Sequence, residues 1–197
     1  MPRPNALHCK IVEIRDTATL NLAKLILQNG QDFEIEDEGL LVPSDELLEA
    51  DGLRLKEPIH WQLTVRDTGG DGNFLLEGHA TTTAIVECRR CLTDVPTEIA
   101  TEFYYPMIYR PGPAELKLLE TNDEDDETII FGKPQVDFAE LITQLTALEL
   151  PLAALCKEDC KGLSPEGVNL NEHPEAAKPI EEREPESPFA ALKELKL

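Results

Sequence analysis

Positive charge and aromatic rings are what this 197-residue chain has least of. Lysine and arginine number 18 against 39 aspartates and glutamates, a formal net charge of −21. A surface this acidic repels phosphate backbones and anionic membranes and attracts basic proteins, which argues against extensive direct RNA binding; the same excess of acid also serves plain solubility. Aromatic residues make up 5% with a single Trp61, so leucine, isoleucine and valine must fill a modest core. No run approaches the roughly 20 apolar residues of a membrane-crossing helix. Met1 to Leu20 holds no apolar stretch of signal-peptide length behind its few basic residues, so the expected location is the cytoplasm. The four histidines, His8, His60, His79 and His173, show no ligand spacing. No Ser/His/Asp set or carboxylate pair is legible either, so the chain is expected not to be an enzyme, and no small-molecule substrate is indicated.

Cysteine is sparse but patterned. Of five, four stand as Cys88-Arg-Arg-Cys91 and Cys156-Lys-Glu-Asp-Cys160. Two close pairs far apart in sequence suit a structural zinc ion: each pair occupies its own turn, and folding brings the turns together into a closed tetrahedral shell. A disulfide, an unrelated pair of buried thiols, and a thioredoxin-like redox Cys-x-x-Cys compete with that reading. A β-like run follows Cys91 where a redox motif wants a helix, and a reducing compartment disfavours disulfides. Cys9 stands alone and reads as a small buried hydrophobe. His173, close after the second pair, could replace one thiol but reads as surface.

Period and punctuation predict the elements. Thr17 to Gln28, with Gly30 beyond, reads as a helix; Ser44 reads as the N-cap of a short helix that buries Leu47 and Leu48. Leu53, Leu55, Ile59, Trp61, Leu63 and Val65 fall on odd positions, a strand interrupted by Pro58 and ending at Arg66. The turn-rich Asp67 to Asn73 then predicts a hairpin into Phe74 to Glu87, where even positions are apolar. Val95, Thr97, Ile99, Thr101 and Phe103 give a third strand, so Cys88 and Cys91 sit in the second turn of a meander. Residues 110–127 read as a mobile acidic loop. Its carboxylates lack the alternate spacing and glycine of a calcium loop. Thr128 to Phe131 is a strand candidate. Asp137 caps a helix whose apolar face runs through Phe138, Leu141, Ile142, Leu145 and Leu148 until Pro151.

The expected architecture is therefore an α+β domain over residues 1–163: an antiparallel β-sheet meander with packed helices and a four-cysteine zinc knuckle. Residues 164–197 read as a mostly disordered acidic tail with a short helix at 189–197.

Cys88-Arg-Arg-Cys-Leu92, Val136 to Ile142, Leu148-Glu-Leu-Pro-Leu152, Cys156-Lys-Glu-Asp-Cys-Lys-Gly-Leu163, Asn169 to Glu172 and the closing Pro188 to Leu195 resemble the YceD family. The resemblance implies a part in accumulation of large-subunit ribosomal RNA, without a defined biochemical activity. Many relatives continue with a further Cys-Pro-x-Cys-Gly where this chain reads Ser164-Pro-Glu-Gly167. That leaves Cys88, Cys91, Cys156 and Cys160 as the expected zinc ligands. Charge and resemblance together predict a non-enzymatic accessory factor that supports synthesis, processing or stability of 23S rRNA by binding a basic ribosomal or ribosome-assembly protein, with indirect or limited rRNA contact. An rRNA-processing enzyme and a redox-sensing zinc switch are the alternatives. Arg89, Arg90, Lys157 and Lys161 either form a small patch for RNA or a partner, or offset the charge of a four-thiolate site.

Overall fold

In the computed structural model, which describes residues 14–27, 33–69, 72–112, 116–120 and 127–177, the chain runs through nine strands and three α-helices among the described residues. In order they are β1 (Ile14–Arg15), β2 (Thr19–Asn21), α1 (Ala23–Leu27), β3 (Glu34–Leu41), α2 (Asp45–Ala50), β4 (Ile59–Asp67), β5 (Asn73–Glu87), β6 (Asp94–Tyr109), β7 (Lys117–Glu120), β8 (Glu127–Phe131), β9 (Gln135–Asp137) and α3 (Ala139–Leu148). Seven strands form one sheet in the order β1-β3-β4-β5-β6-β8-β7, and β2 pairs with β9 beside it.

Strict alternation builds the centre. Ile59, Trp61, Leu63 and Val65 of β4 and Phe74, Leu76 and Ala80 of β5 are buried on one face, with Phe103 and Met107 of β6 beside them. The expected meander is present, with β4, β5 and β6 antiparallel in unbroken register. The sheet as a whole is mixed, however, because β1 runs parallel to β3 and β8 parallel to β6. The connection through β7 crosses the sheet end and returns as a β7–β8 hairpin, which forces the parallel neighbour. Lys117–Glu120 is thus a strand inside the expected acidic loop, while most of the run Asp123 to Glu127 lies outside the described residues, as does Cys9.

Four other expectations change in detail. The predicted helix at Thr17 to Gln28 begins only at Ala23, whose amide donates to Asn21 Oδ1 at 3.1 Å. Ahead of it Leu20 pairs with Val136 as a strand, and the Ala18 amide is held by Asp137 Oδ1 at 2.9 Å. That aspartate also accepts from the Ala139 amide at 3.0 Å, so it serves the start of α3 as expected. In α3, Leu148 is exposed, whereas Thr143 and Thr146 are buried with their hydroxyls donating to the carbonyls of Ala139 and Ile142, four residues back. Those internal bonds satisfy the hydroxyls and make threonine acceptable on the core face. Ser44 caps α2 as expected, but Leu47 and Leu48 are half-buried. Lastly, Ser164 to Ala177, expected to belong to a tail, fold into successive turns, and residues 178–197 lie outside the described residues.

The long β5–β6 hairpin organises the molecule. About 50 Å of paired strand carries the main core at one end, then a small cluster of Leu53, Ala84 and Ile99, then Cys88, Cys91 and Cys160 at its turn.

Candidate metal centre

The two cysteine pairs come from opposite ends of that hairpin-and-helix unit. Cys88 and Cys91 lie in the tight turn between β5 and β6, closed by the Leu92 amide donating to Cys88 O and the Cys88 amide to Thr93 O, each at 2.8 Å. A strand-turn-strand setting is not the strand-to-helix setting of a redox Cys-x-x-Cys. Helix α3 then runs back along the sheet and delivers Cys156 and Cys160 to the same place. The Arg89 amide docks on Ala154 O at 2.9 Å, fixing the second segment against the turn.

All four Sγ atoms lie within 4.8 Å of one another. Cys88 and Cys160 are 3.8 Å apart and Cys91 and Cys156 3.6 Å. A disulfide needs about 2.05 Å, so the thiols are not bonded in pairs. A tetrahedron with metal–sulfur bonds of ~2.3 Å has edges of about 3.8 Å, so the donor set fits a four-thiolate shell. The other three sulfurs are buried, and Cys156 is exposed.

Protonation differs around the ring. Backbone N–H groups of Cys156 and Cys91 lower Cys88 to about 6 against the opposing effect of burial. Desolvation, followed by hydrogen bonds to the neighbouring cysteines, pushes Cys156 up to about 12. Burial works against ionising Cys160, yet the Asn171 amide and the Gly162 backbone amide hold it below the ordinary thiol range. Four adjacent thiols cannot all ionise without a cation, and a metal removes that conflict.

A supporting ring of residues surrounds the thiols, and the sequence marks Gly162, Asn169 and Asn171 only through the motifs that carry the family resemblance, without assigning them a role. Asn171 Nδ2 donates to Cys160 Sγ at 3.3 Å, and its Oδ1 accepts from the Lys161 amide at 3.0 Å. Asn169 Nδ2 reaches Thr93 Oγ1 at 3.4 Å, and that hydroxyl lies 3.2 Å from Cys91 Sγ. Gly162, at φ +77°, passes so close to the first turn that a Cβ would stand 3.1 Å from Arg90 O. Their place just after the second cysteine pair, in an Asn- and Gly-rich stretch, is the signal for a supporting role, whereas Thr93 carries none. Hydrogen bonds to ligands orient them and typically change metal affinity by about 10–100-fold. Asn171→Ala is expected to weaken metal binding by roughly tenfold or more, measured by competition with a chromophoric chelator, with the fold intact by circular dichroism.

The four flanking cations are all exposed. Arg90 Nη1 donates to Glu158 O at 3.2 Å and Cys160 O at 3.0 Å, and Arg89 Nη1 to Leu152 O at 3.4 Å, so both arginines clamp the second segment onto the first. His173 stands apart from the thiols, with Nδ1 3.1 Å from Glu175 Oε1. Ser164 uses its hydroxyl to accept the amides of Glu166 and Val168, and so holds a turn.

The family model described as Large ribosomal RNA subunit accumulation protein YceD matches residues 76–196. The chain belongs to the YceD family. The YceD match opens within β5 and takes in all four cysteines, and it ties the chain to large-subunit ribosomal RNA accumulation. Uncharacterized proteins of Mycobacterium bovis and Mycobacterium tuberculosis are each 27% identical over 163 residues, covering 79% of this chain and 72% of their own length. An uncharacterized protein of Mycobacterium leprae is 29% identical over 114 residues, 57% of this chain and 49% of its own. No solved structure matches the chain. No helix among the described residues is long and apolar enough to cross a membrane.

Proposed function

We propose that the protein is a non-enzymatic accessory factor for synthesis, processing or stability of large-subunit (23S) rRNA in the cytoplasm, built around a zinc staple. The observation that carries the reading is the YceD family match over the segment holding all four thiols. Zinc is the metal that four thiolates favour, and four protein ligands complete its shell, so bound zinc would hold the fold without offering an open position for chemistry. Cys88, Cys91, Cys156 and Cys160 would bind it; Asn171 and Thr93 would orient the sulfurs. The net charge of −21 favours a basic ribosomal or ribosome-assembly protein as partner. Contact with rRNA is limited to the cations beside the thiols. Of these Lys157 and Lys161 are the freer heads, since the arginines clamp the staple.

The test is a gradient profile of ribosomal particles from depleted cells, with rRNA quantified. Selective loss of large subunits, restored by the wild-type protein and not by Cys88→Ser, is expected. An unchanged profile after depletion would overturn the proposal. Exposure of Cys156 favours, as a second reading, a redox-sensitive staple. Reversible metal release by peroxide would mark it.

A further inference from the structure

Strand β6 leaves one edge unpaired over most of its length. Among the described residues it takes β8 as a neighbour only from Met107 to Tyr109, while Asp94 to Pro106 pair with β5 alone. In an antiparallel pair, opposed residues alternately bond each other and face outward. The Cys88 amide donates to Thr93 O and the Tyr109 amide to Gly72 O, each one step beyond an end of the β5–β6 ladder, so the odd residues of β6 make the bonds to β5. Pro96 and Pro106, which have no N–H to give, both fall on even positions. Glu98, Ala100 and Glu102 therefore aim their backbone N–H and C=O groups at the open edge, and none of these groups has a hydrogen-bond partner among the described residues.

The side chains of the same three residues are exposed on the face of the sheet opposite the core, because Ile99, Thr101 and Phe103 alternate with them and are buried. That face is acidic. Glu36 and Glu38 of β3 are exposed on it together with Glu98 and Glu102 of β6, and Arg66 is taken up by Glu77.

A cavity of about 740 Å³ opens on this face and reaches the free edge at Glu98 and Ala100. Leu40, His60, Thr81 and Ala100 lie side by side along it, one from each of β3 to β6. Two carboxylates flank Thr83 within it: Thr83 Oγ1 donates to Glu57 Oε2 at 3.4 Å, and Glu98 stands directly opposite Thr83 in the ladder. None of the lining residues is a lysine or arginine; Lys56, next to Glu57 in the chain, is not among them.

We propose, building on the reading that a basic protein is the partner, that an extended basic segment of that partner docks as an added strand on β6 from Pro96 to Glu102 and places a lysine or arginine side chain in the cavity between Glu57 and Glu98. Strand addition supplies main-chain hydrogen bonds, and the pocket beside the edge selects the side chain. The small side chain of Ala100 leaves the way from the edge to Thr81 open to a long cation. A second copy of this chain is a poor occupant, because Glu98 and Glu102 would meet their like across the new pairing.

The test uses the full-length, metal-loaded protein and a short fluorescent peptide in which lysine or arginine alternates with valine, read by anisotropy. Binding is expected to weaken at least about tenfold in the Glu57→Gln, Glu98→Gln double variant. It should weaken at least about fivefold in Ala100→Pro, which removes one outward N–H and no bond to β5, and by a similar factor when every amide of the peptide is N-methylated. Circular dichroism and metal content verify that the variants are folded. Unchanged binding of the methylated peptide or by Ala100→Pro would mean that charge alone attracts the peptide, and would overturn the proposal. Absence of binding to the wild-type protein would overturn it too, as would a dimer of the protein that Ala100→Pro abolishes, which would identify a second copy as the occupant. Large-subunit loss on depletion, combined with no peptide binding, would remove this docking surface and leave the accessory role standing; an unchanged ribosome profile with peptide binding intact would remove the role and keep the surface.

Discussion

Removing the metal is expected to release residues 150–177 from the body of the protein while the β4–β6 meander stays folded. The released segment has little else to hold it. Apart from Cys160, its buried residues are Ala154, Gly162 and Ser164, and the leucines at 152 and 155 point into solvent. Its remaining ties to the body are single hydrogen bonds, from the Arg89 amide to Ala154 O, from the exposed Arg89 and Arg90 guanidinium groups to the carbonyls of Leu152, Glu158 and Cys160 and from Asn169 to Thr93, with half-buried Leu150 packed against the Leu53, Ala84 and Ile99 cluster. Such bonds contribute about 1 kcal/mol each, whereas a structural zinc ion supplies an apparent ~10–16 kcal/mol near neutral pH. Without it, the thiols that the fold draws down or pushes up compete for protons in a cramped space. Hydrogen exchange reads the outcome directly. The amides of Arg89, Ser164 and Leu170 should exchange at least about a hundredfold faster in chelator-treated protein or in Cys160→Ser, while those of Val65 and Leu76 stay protected. Retained protection at residues 150–177 in metal-free protein would show that packing, and not the metal, holds the segment.

Trp61→Ala is expected to cost about 3–5 kcal/mol, the largest effect of any single core change here. Trp61 is buried at the centre of the main cluster, and its indole lies flat over Gly39 of the neighbouring strand. A Cβ at Gly39 would come within 2.8 Å of the ring, so only glycine leaves the indole its place. The indole N–H is buried without a hydrogen-bond partner among the described residues. An unpaired buried donor costs about 1–3 kcal/mol, which sets the two substitutions apart: Trp61→Phe removes that donor and keeps most of the ring, so it should cost less than half as much as alanine. Gly39→Ala should cost about 1–3 kcal/mol through overpacking, and much less in the Trp61→Phe background, where the smaller ring can shift. Urea denaturation of the four proteins gives the cycle. Equal costs for Trp61→Phe and Trp61→Ala would mean that the indole N–H is paired.

These two sites also mark where the sequence is readable and where it is not. The meander is legible because β4, β5 and β6 each keep one apolar face, and the paired cysteines are legible because a metal needs thiols at turn spacing. Strand β3 is hidden. Its buried face reads Ile35, Asp37, Gly39, Leu41, and the position that should be bulky is empty so that Trp61 can fill it from the next strand. Strand β2 looks helical because Leu20, Leu22 and Leu25 fit either period; the deciding contacts, to Val136 and Asp137, lie more than a hundred residues away. In α3 the face is judged by hydrophobicity, yet Thr143 and Thr146 go inside and Leu148 outside. Around the thiols, Asn171, Thr93 and Gly162 do their work through hydrogen bonds and a left-handed backbone, which leave no apolar pattern to count.

The separation of the cysteine pairs sets the order of events when the chain folds. The β5–β6 hairpin zips from neighbours in sequence, but Cys91 meets Cys156 across 65 residues and Cys88 meets Cys160 across 72. Closing a loop of that length costs about 4 kcal/mol in chain entropy and gains nothing until the sheet has formed and α3 has turned the chain back. Metal capture by these thiols would therefore come late, on a scaffold already built, and metal supply would set how long a newly made protein waits with its sheet complete and its thiols open.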